Sequence, residues 1–191
     1  MTRADVRRIP RGAIRIELPC LVQRADHTCG AAAVLAVSRY FGVGPATEAE
    51  VVRDMRFGPG GSDPAHLIAA LRRYRLHHAE HRGMTGGELS ASLDRGRPVI
   101  LMLQAWGARA RYRHHWRDGH WVVAIGHDVR GLYVEDPMIE GARGFVTYAA
   151  LADRWHDLEG PTRRRVERYG LAVWGPRARR AVRVGTRITQ R

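Results

Sequence analysis

The sequence contains no lysine: all 32 of its cationic side chains are arginine, set against 19 carboxylates. Replacement on that scale reads as a genome-wide compositional bias more than a requirement at each site. Two cysteines in 191 residues exclude a disulfide framework, and neither Cys20 nor Cys29 stands in the paired spacing that metal sites use. Nowhere do about 18 uninterrupted apolar residues occur, which excludes a membrane-spanning helix. The opening stretch, MTRADVRRIPRGAIRIELP, carries arginine but no apolar run that could form a signal-peptide core. The expectation is a cytoplasmic protein with both thiols free. The ten histidines show no defined ligand spacing, so no metal or other cofactor is expected.

What is present is ordinary for a globular chain: 45% apolar and 27% charged residues, at a length suited to one domain with its own core. The net charge of +13 draws anions, nucleic acid and acidic membrane surfaces without specificity. No nucleic-acid-reading motif accompanies it and the arginines are scattered, so no specific nucleic-acid partner is expected.

Local signals change character along the chain. Residues 1–16 read as an N-terminal arm, with a short strand at AIRIEL. A first helix runs from Cys29 to Phe41, with Asp26 or Thr28 to cap it and Gly42 where a left-handed residue is wanted. Thr47 with Glu50, and later Thr85 with Glu88, form capping-box patterns. Asp63 followed by Pro64 starts another helix, with Leu67, Ile68 and Leu71 on one face. Beyond Gly96 the apolar runs PVILMLQAW, HWVVAIGHD and GLYVEDP read as strands, the last two as a hairpin turning near Val129–Gly131. GFVTY and RYGLAVWG add strands, with the short helix AALADRWHD between them, and residues 176–191 read as a basic tail. Helices first and antiparallel strands after them predict an α+β fold of two lobes.

One segment, VQRADHTCGAAAVLAVSRYFG (residues 22–42), places a cysteine at the mouth of an alanine-rich helix. A helix N-terminus is one of the settings in which a thiol becomes a thiolate nucleophile. Such a nucleophile needs a base, a group to orient the base, and donors for the oxyanion. Gln23 has amide hydrogens to offer, His120 opens an apolar strand, and Asp136 ends the next one just before Pro137. Pairing of those strands would carry both side chains to the same end of the hairpin.

Glutamine, five residues, Cys-Gly opening a helix, then GHWVVAIGH and GLYVEDP: this order resembles the papain-like cysteine peptidases. It resembles most the bacteriocin-processing, double-glycine-leader peptidases and their stand-alone relatives. The resemblance covers about residues 17–175. It implies Cys29 as nucleophile, His120 as base, Asp136 as the residue orienting it, and Gln23 with the Cys29 backbone N–H as oxyanion donors. The implied activity is hydrolysis of a peptide or protein substrate through a thioester. Acyl transfer, transamidation or peptide cyclisation would use the same residues, and a catalytically silent binding module would keep the shell alone.

Other residues have plainer readings. Cys20, after Pro19, reads as structural, and His127 as a turn residue. The groups His77, His78, His81 and His114, His115 read as exposed loop or edge positions. Asp118 lies too close along the chain to back His120, and Asp128 caps the hairpin turn. Trp106, Trp116 and Trp121 read as core or cleft wall. The arginine- and histidine-rich connection at 108–118 matches no motif.

Overall fold

The computed structural model describes residues 2–4, 13–105, 109–139, 143–176 and 181–183. Trp106 and most of the arm and tail lie outside the described residues. Helix α1 (Cys29–Phe41) is buried at every position except Arg39 and the half-buried Phe41. Its Ala-Ala-Ala-Val-Leu-Ala-Val run leaves no polar face, which is the pattern of a helix enclosed by its neighbours. It ends at Gly42, whose φ of 70° is the left-handed conformation that glycine adopts without penalty. Helices α2 (Glu48–Met55) and α3 (Pro64–Arg73) pack against it. In α2 the Thr47 hydroxyl accepts from the Glu50 N–H while the Glu50 carboxylate accepts from the Thr47 N–H; a cap of this kind contributes about 1 kcal/mol. Helix α4 (Gly86–Asp94) opens with the same reciprocal pair between Thr85 and Glu88.

The sheet runs β1 (Thr2–Ala4), β7 (Arg143–Thr147), β6 (Gly131–Glu135), β5 (Gly119–His127), β4 (Val99–Gln104), β10 (Tyr169–Trp174), β3 (His77–Arg82), and its pairs are antiparallel. β4 and β5 form its centre. Every residue of β4 is buried, as are seven consecutive residues of β5, and α1 packs on β5. Two short strands, β2 (Ile14–Arg15) and β11 (Val182–Arg183), pair with each other, and β2 also pairs with β5 at His127 and Gly126. A side chain at Gly126 would meet the Ile14 carbonyl oxygen at 2.2 Å, so this close approach requires glycine. Pieces of both chain flanks therefore join the sheet.

The expected helices α1 to α4, helix α5 (Tyr148–Arg154) and the β5–β6 hairpin are all present. One expectation narrows and another changes. His77, His78 and His81, read as loop or edge positions, lie on the edge strand β3, whose polar side chains are tolerated because one side has no partner strand among the described residues. AALADRWHD, read as one short helix, stops at Arg154, and its last residues turn at Trp155 into a strand, β8 (His156–Glu159), which pairs with β9 (Arg164–Glu167). That small second sheet lies over β4 and forms a wall of the cleft described next.

Candidate active site

Cys29 is the first residue of α1, and the turn before it is satisfied from within. The Thr28 hydroxyl donates to Ala25 O (2.8 Å) and accepts from Ala25 N–H (3.1 Å). Thr28 stands at the N-cap position but makes no side-chain bond to the helix. The first intrahelical bond is that of Ala32 to Thr28 O. The N–H groups of the first helical residues thus keep their partial positive charge at the end where the thiol sits.

His120 comes from β5 and Asp136 from the residue after β6. The strands pair with Val123 opposite Glu135 and Ala124 opposite Val134. Alternation by two puts His120 on the face of Ala124, and Asp136 on the face of Val134, which is the same face. His120 Nε2 lies 2.7 Å from Asp136 Oδ1, with both side chains about 3% exposed. The Met138 N–H donates to the same carboxylate oxygen at 3.0 Å, fixing its direction. With Nε2 so engaged, Nδ1 is the ring atom left for the thiol, and Cys29 is hydrogen-bonded to the ring. Burial opposes a charge on His120. The hydrogen bonds and negative charge of Asp136 and Cys29 outweigh it and push the imidazole up to about 9.

Gln23 is buried and joins this assembly through its backbone: its N–H donates to Pro137 O at 3.0 Å, one residue past Asp136. Its side-chain Nε2 donates to Ala25 O at 2.8 Å, while Oε1 is buried with no hydrogen-bond partner among the described residues. The structure therefore brings Cys29, His120 and Asp136 into one hydrogen-bonded chain, with Gln23 tied to the turns on either side.

Cys29 opens on a cleft of about 410 Å³ whose walls include Ser62, Met102, Trp116, Gly119, Trp121 and Asp157. The loop Gly58–Asp63 closes over the start of α1. The Trp121 indole N–H donates to Ser62 O at 2.9 Å, and a side chain at Gly30 would meet Ser62 Oγ at 2.1 Å. Trp116 and Trp121 are thus cleft wall. Asp118 pairs with His115 at 2.7 Å, and Asp128 accepts from the Arg130 N–H in the hairpin turn. His127 bonds Asp94 at the end of β5. Among the described residues no group of three or more His, Cys, Asp or Glu side chains is placed to hold a metal ion. No helix there is long and apolar enough to cross a membrane. Asp157 and Ser62 carry no signal in the linear sequence, because only the β8–β9 hairpin and the loop over α1 bring them to the cleft.

The family model of the Peptidase_C39 like family matches residues 15–162. The chain belongs to this family. Solved structures agree on the fold. A candidate C39-like peptidase from Bacillus anthracis superposes with a TM-score of 0.67 at 15% identity, over 87% of this chain and 99% of that one. The peptidase domain of Streptococcus ComA, a bi-functional ABC transporter, gives 0.60 at 13% identity, over 86% and 98%. A double glycine motif protease from an AMS/PCAT transporter, in complex with its leader peptide, gives 0.57 at 18%, over 84% and 96%. No curated protein matches the chain in sequence. The architecture is therefore the α+β, papain-like fold of C39 peptidases, and membership of the family supports a peptidase role.

Proposed function

We propose that this C39-like protein is a cysteine peptidase in which Cys29 is the nucleophile, His120 the acid and base, and Asp136 the residue orienting His120. The observation that carries this reading is the buried hydrogen-bonded chain Cys29–His120–Asp136 beside an open cleft. Cys29 Sγ adds to the carbonyl carbon of a peptide bond while its proton rests on His120. The tetrahedral oxyanion takes hydrogen bonds from the Cys29 backbone N–H and from the second Nε2 hydrogen of Gln23, the first being held by Ala25 O. His120 gives its proton to the leaving amine, the C–N bond breaks, and a thioester remains. Water adds to the thioester with His120 taking its proton. Collapse releases the carboxylate product and returns the thiol–imidazole pair.

The same thioester would accept an amine, and we hold to hydrolysis because the family is one of peptidases. The leader peptide bound to the transporter protease supports a peptide as substrate class. We place the peptidase unit at residues 17–175 and the reaction in the reducing cytoplasm, where a thiol nucleophile stays reduced. The test is labelling by a peptidyl electrophile, compared between wild type, Cys29→Ala and His120→Ala, with mass spectrometry of peptide products. The expected result is labelling and cleavage in wild type alone. Labelling that ignores His120→Ala would overturn the assignment of the base.

A further inference from the structure

Asp157 sits in the cleft wall with no ion pair to another of the described residues. It is 9% exposed and lies on β8. Its Oδ1 accepts from Gln104 Nε2 at 2.9 Å and a backbone bond comes from Leu158. Both donors are neutral. Gln104 is itself fully buried and held, donating also to His156 O and accepting from the Asp118 N–H. The carboxylate is therefore built into the wall. The carboxylate lies against Gly119, the residue preceding His120: a Cβ there would stand 1.9 Å from Oδ2 and 2.6 Å from Oδ1.

No ion pair reaches this carboxylate among the described residues. Arg163, exposed at the cleft rim, acts on it only through space, and Asp63 opposes that effect. In a chain with 32 arginines and a net charge of +13, a buried acid with no ion-paired arginine among the described residues is unexpected. Burial raises it to about 6, so at neutral pH it is mostly ionised and uncompensated, a condition proteins normally relieve by pairing.

The rest of the cleft suits the missing cation. Met102, Trp116 and Trp121 line it beside Asp157. Aromatic and thioether walls hold the aliphatic stem of a long basic side chain while a carboxylate receives its head. Trp116 already carries one guanidinium, that of Arg165, 4.8 Å from its ring.

We propose that Asp157 is a specificity-determining residue, receiving an arginine or lysine side chain of the peptide substrate close to the scissile bond. This rests on the peptidase reading above, since it assigns the substrate class of the same cleft. The test separates the two. N-acetylated hexapeptide amides, alanine at all positions but one, carry Arg, Lys, citrulline or norleucine at each position in turn. Binding is measured by fluorescence titration to the Cys29→Ala protein, which needs no turnover, and cleavage is measured with wild type.

At one position Arg and Lys should bind at least about tenfold more tightly than the neutral isostere citrulline, as expected for a charge-assisted contact. Asp157→Asn in the Cys29→Ala background should bind the Arg and citrulline peptides alike. Equal binding of Arg and citrulline at all positions would overturn the inference without any variant. So would a preference that survives Asp157→Asn. Selective binding that is lost in Asp157→Asn, without cleavage by wild type, would keep Asp157 as the receiver of a basic side chain and remove the peptidase reading together with its scissile bond.

Discussion

His120 and Asp136, 16 residues apart in sequence, meet at 2.7 Å with almost no exposure. The meeting follows from strand register: β5 and β6 align so that both side chains leave one face at one end of the hairpin. A buried carboxylate on Nε2 directs Nδ1 to Cys29 and stabilises the charged ring.

Replacing Asp136 with Asn keeps the shape and removes that charge. His120 loses the largest influence that favours its protonated form, so its titration should move down by a unit or more. The rate of Cys29 alkylation at neutral pH should fall by about tenfold or more, since one unit corresponds to a tenfold change in population. NMR titration of the His120 ring and iodoacetamide kinetics check both. An unmoved titration would show that Asp136 does not act on the ring.

The same shift sets a pH dependence of stability. The ring's folded value, about 9, lies above its ordinary 6.5. Its contribution is therefore complete below about 6.5, declines as pH rises, and is gone above about 9. The gap in denaturation midpoint between wild type and His120→Gln should shrink from pH 6 to pH 10, in urea titrations at each pH.

Much of this is legible in the sequence. Caps at Thr47, Thr85 and Gly42 and the apolar runs of β4 and β5 act locally, so residue types alone locate those elements. The order Gln23, Cys29, His120, Asp136 carried the family resemblance. Non-local features were not legible. β3 is His-His-Ala-Glu-His-Arg and takes its strand state from pairing with β10, against its own polarity. Trp155 to Asp157 looks like the end of a helix until β9 returns beside it. Asp157 becomes a cleft residue only through that return.

Gly30, behind the thiol, is closely packed. A methyl there would stand 2.1 Å from Ser62 Oγ and 3.0 Å from Trp121 Cδ1, and Ser62 is also held to Trp121 through its carbonyl. Gly30→Ala should cost about 1–3 kcal/mol, the usual range for overpacking. It should also slow alkylation of Cys29 by moving the loop from α1. Gly60→Ala, with nothing within 4 Å, should stay within about 0.5 kcal/mol of wild type. Thermal melts of the two variants give the comparison.

The uncompensated charge of Asp157 should be measurable without any substrate. Desolvation is the leading influence on it, aided by Asp63; the Leu158 N–H, Gln104 and Arg163 oppose it but do not win, and the value rises from 3.8 to about 6. The sign follows from linkage. The protonated acid is favoured in the folded state, so the benefit is whole below about 3.8 and is lost as pH rises through about 6. Above that, ionised Asp157 costs the fold about 3 kcal/mol. Asp157→Asn never ionises. Its melting temperature should match wild type near pH 4 and exceed it by several degrees at pH 7. A wild type more stable than Asp157→Asn at pH 7 would mean that a cation of the chain already pairs with the carboxylate. The cleft would then have no charge left to offer a substrate, and the preference for basic peptides would lose its cause.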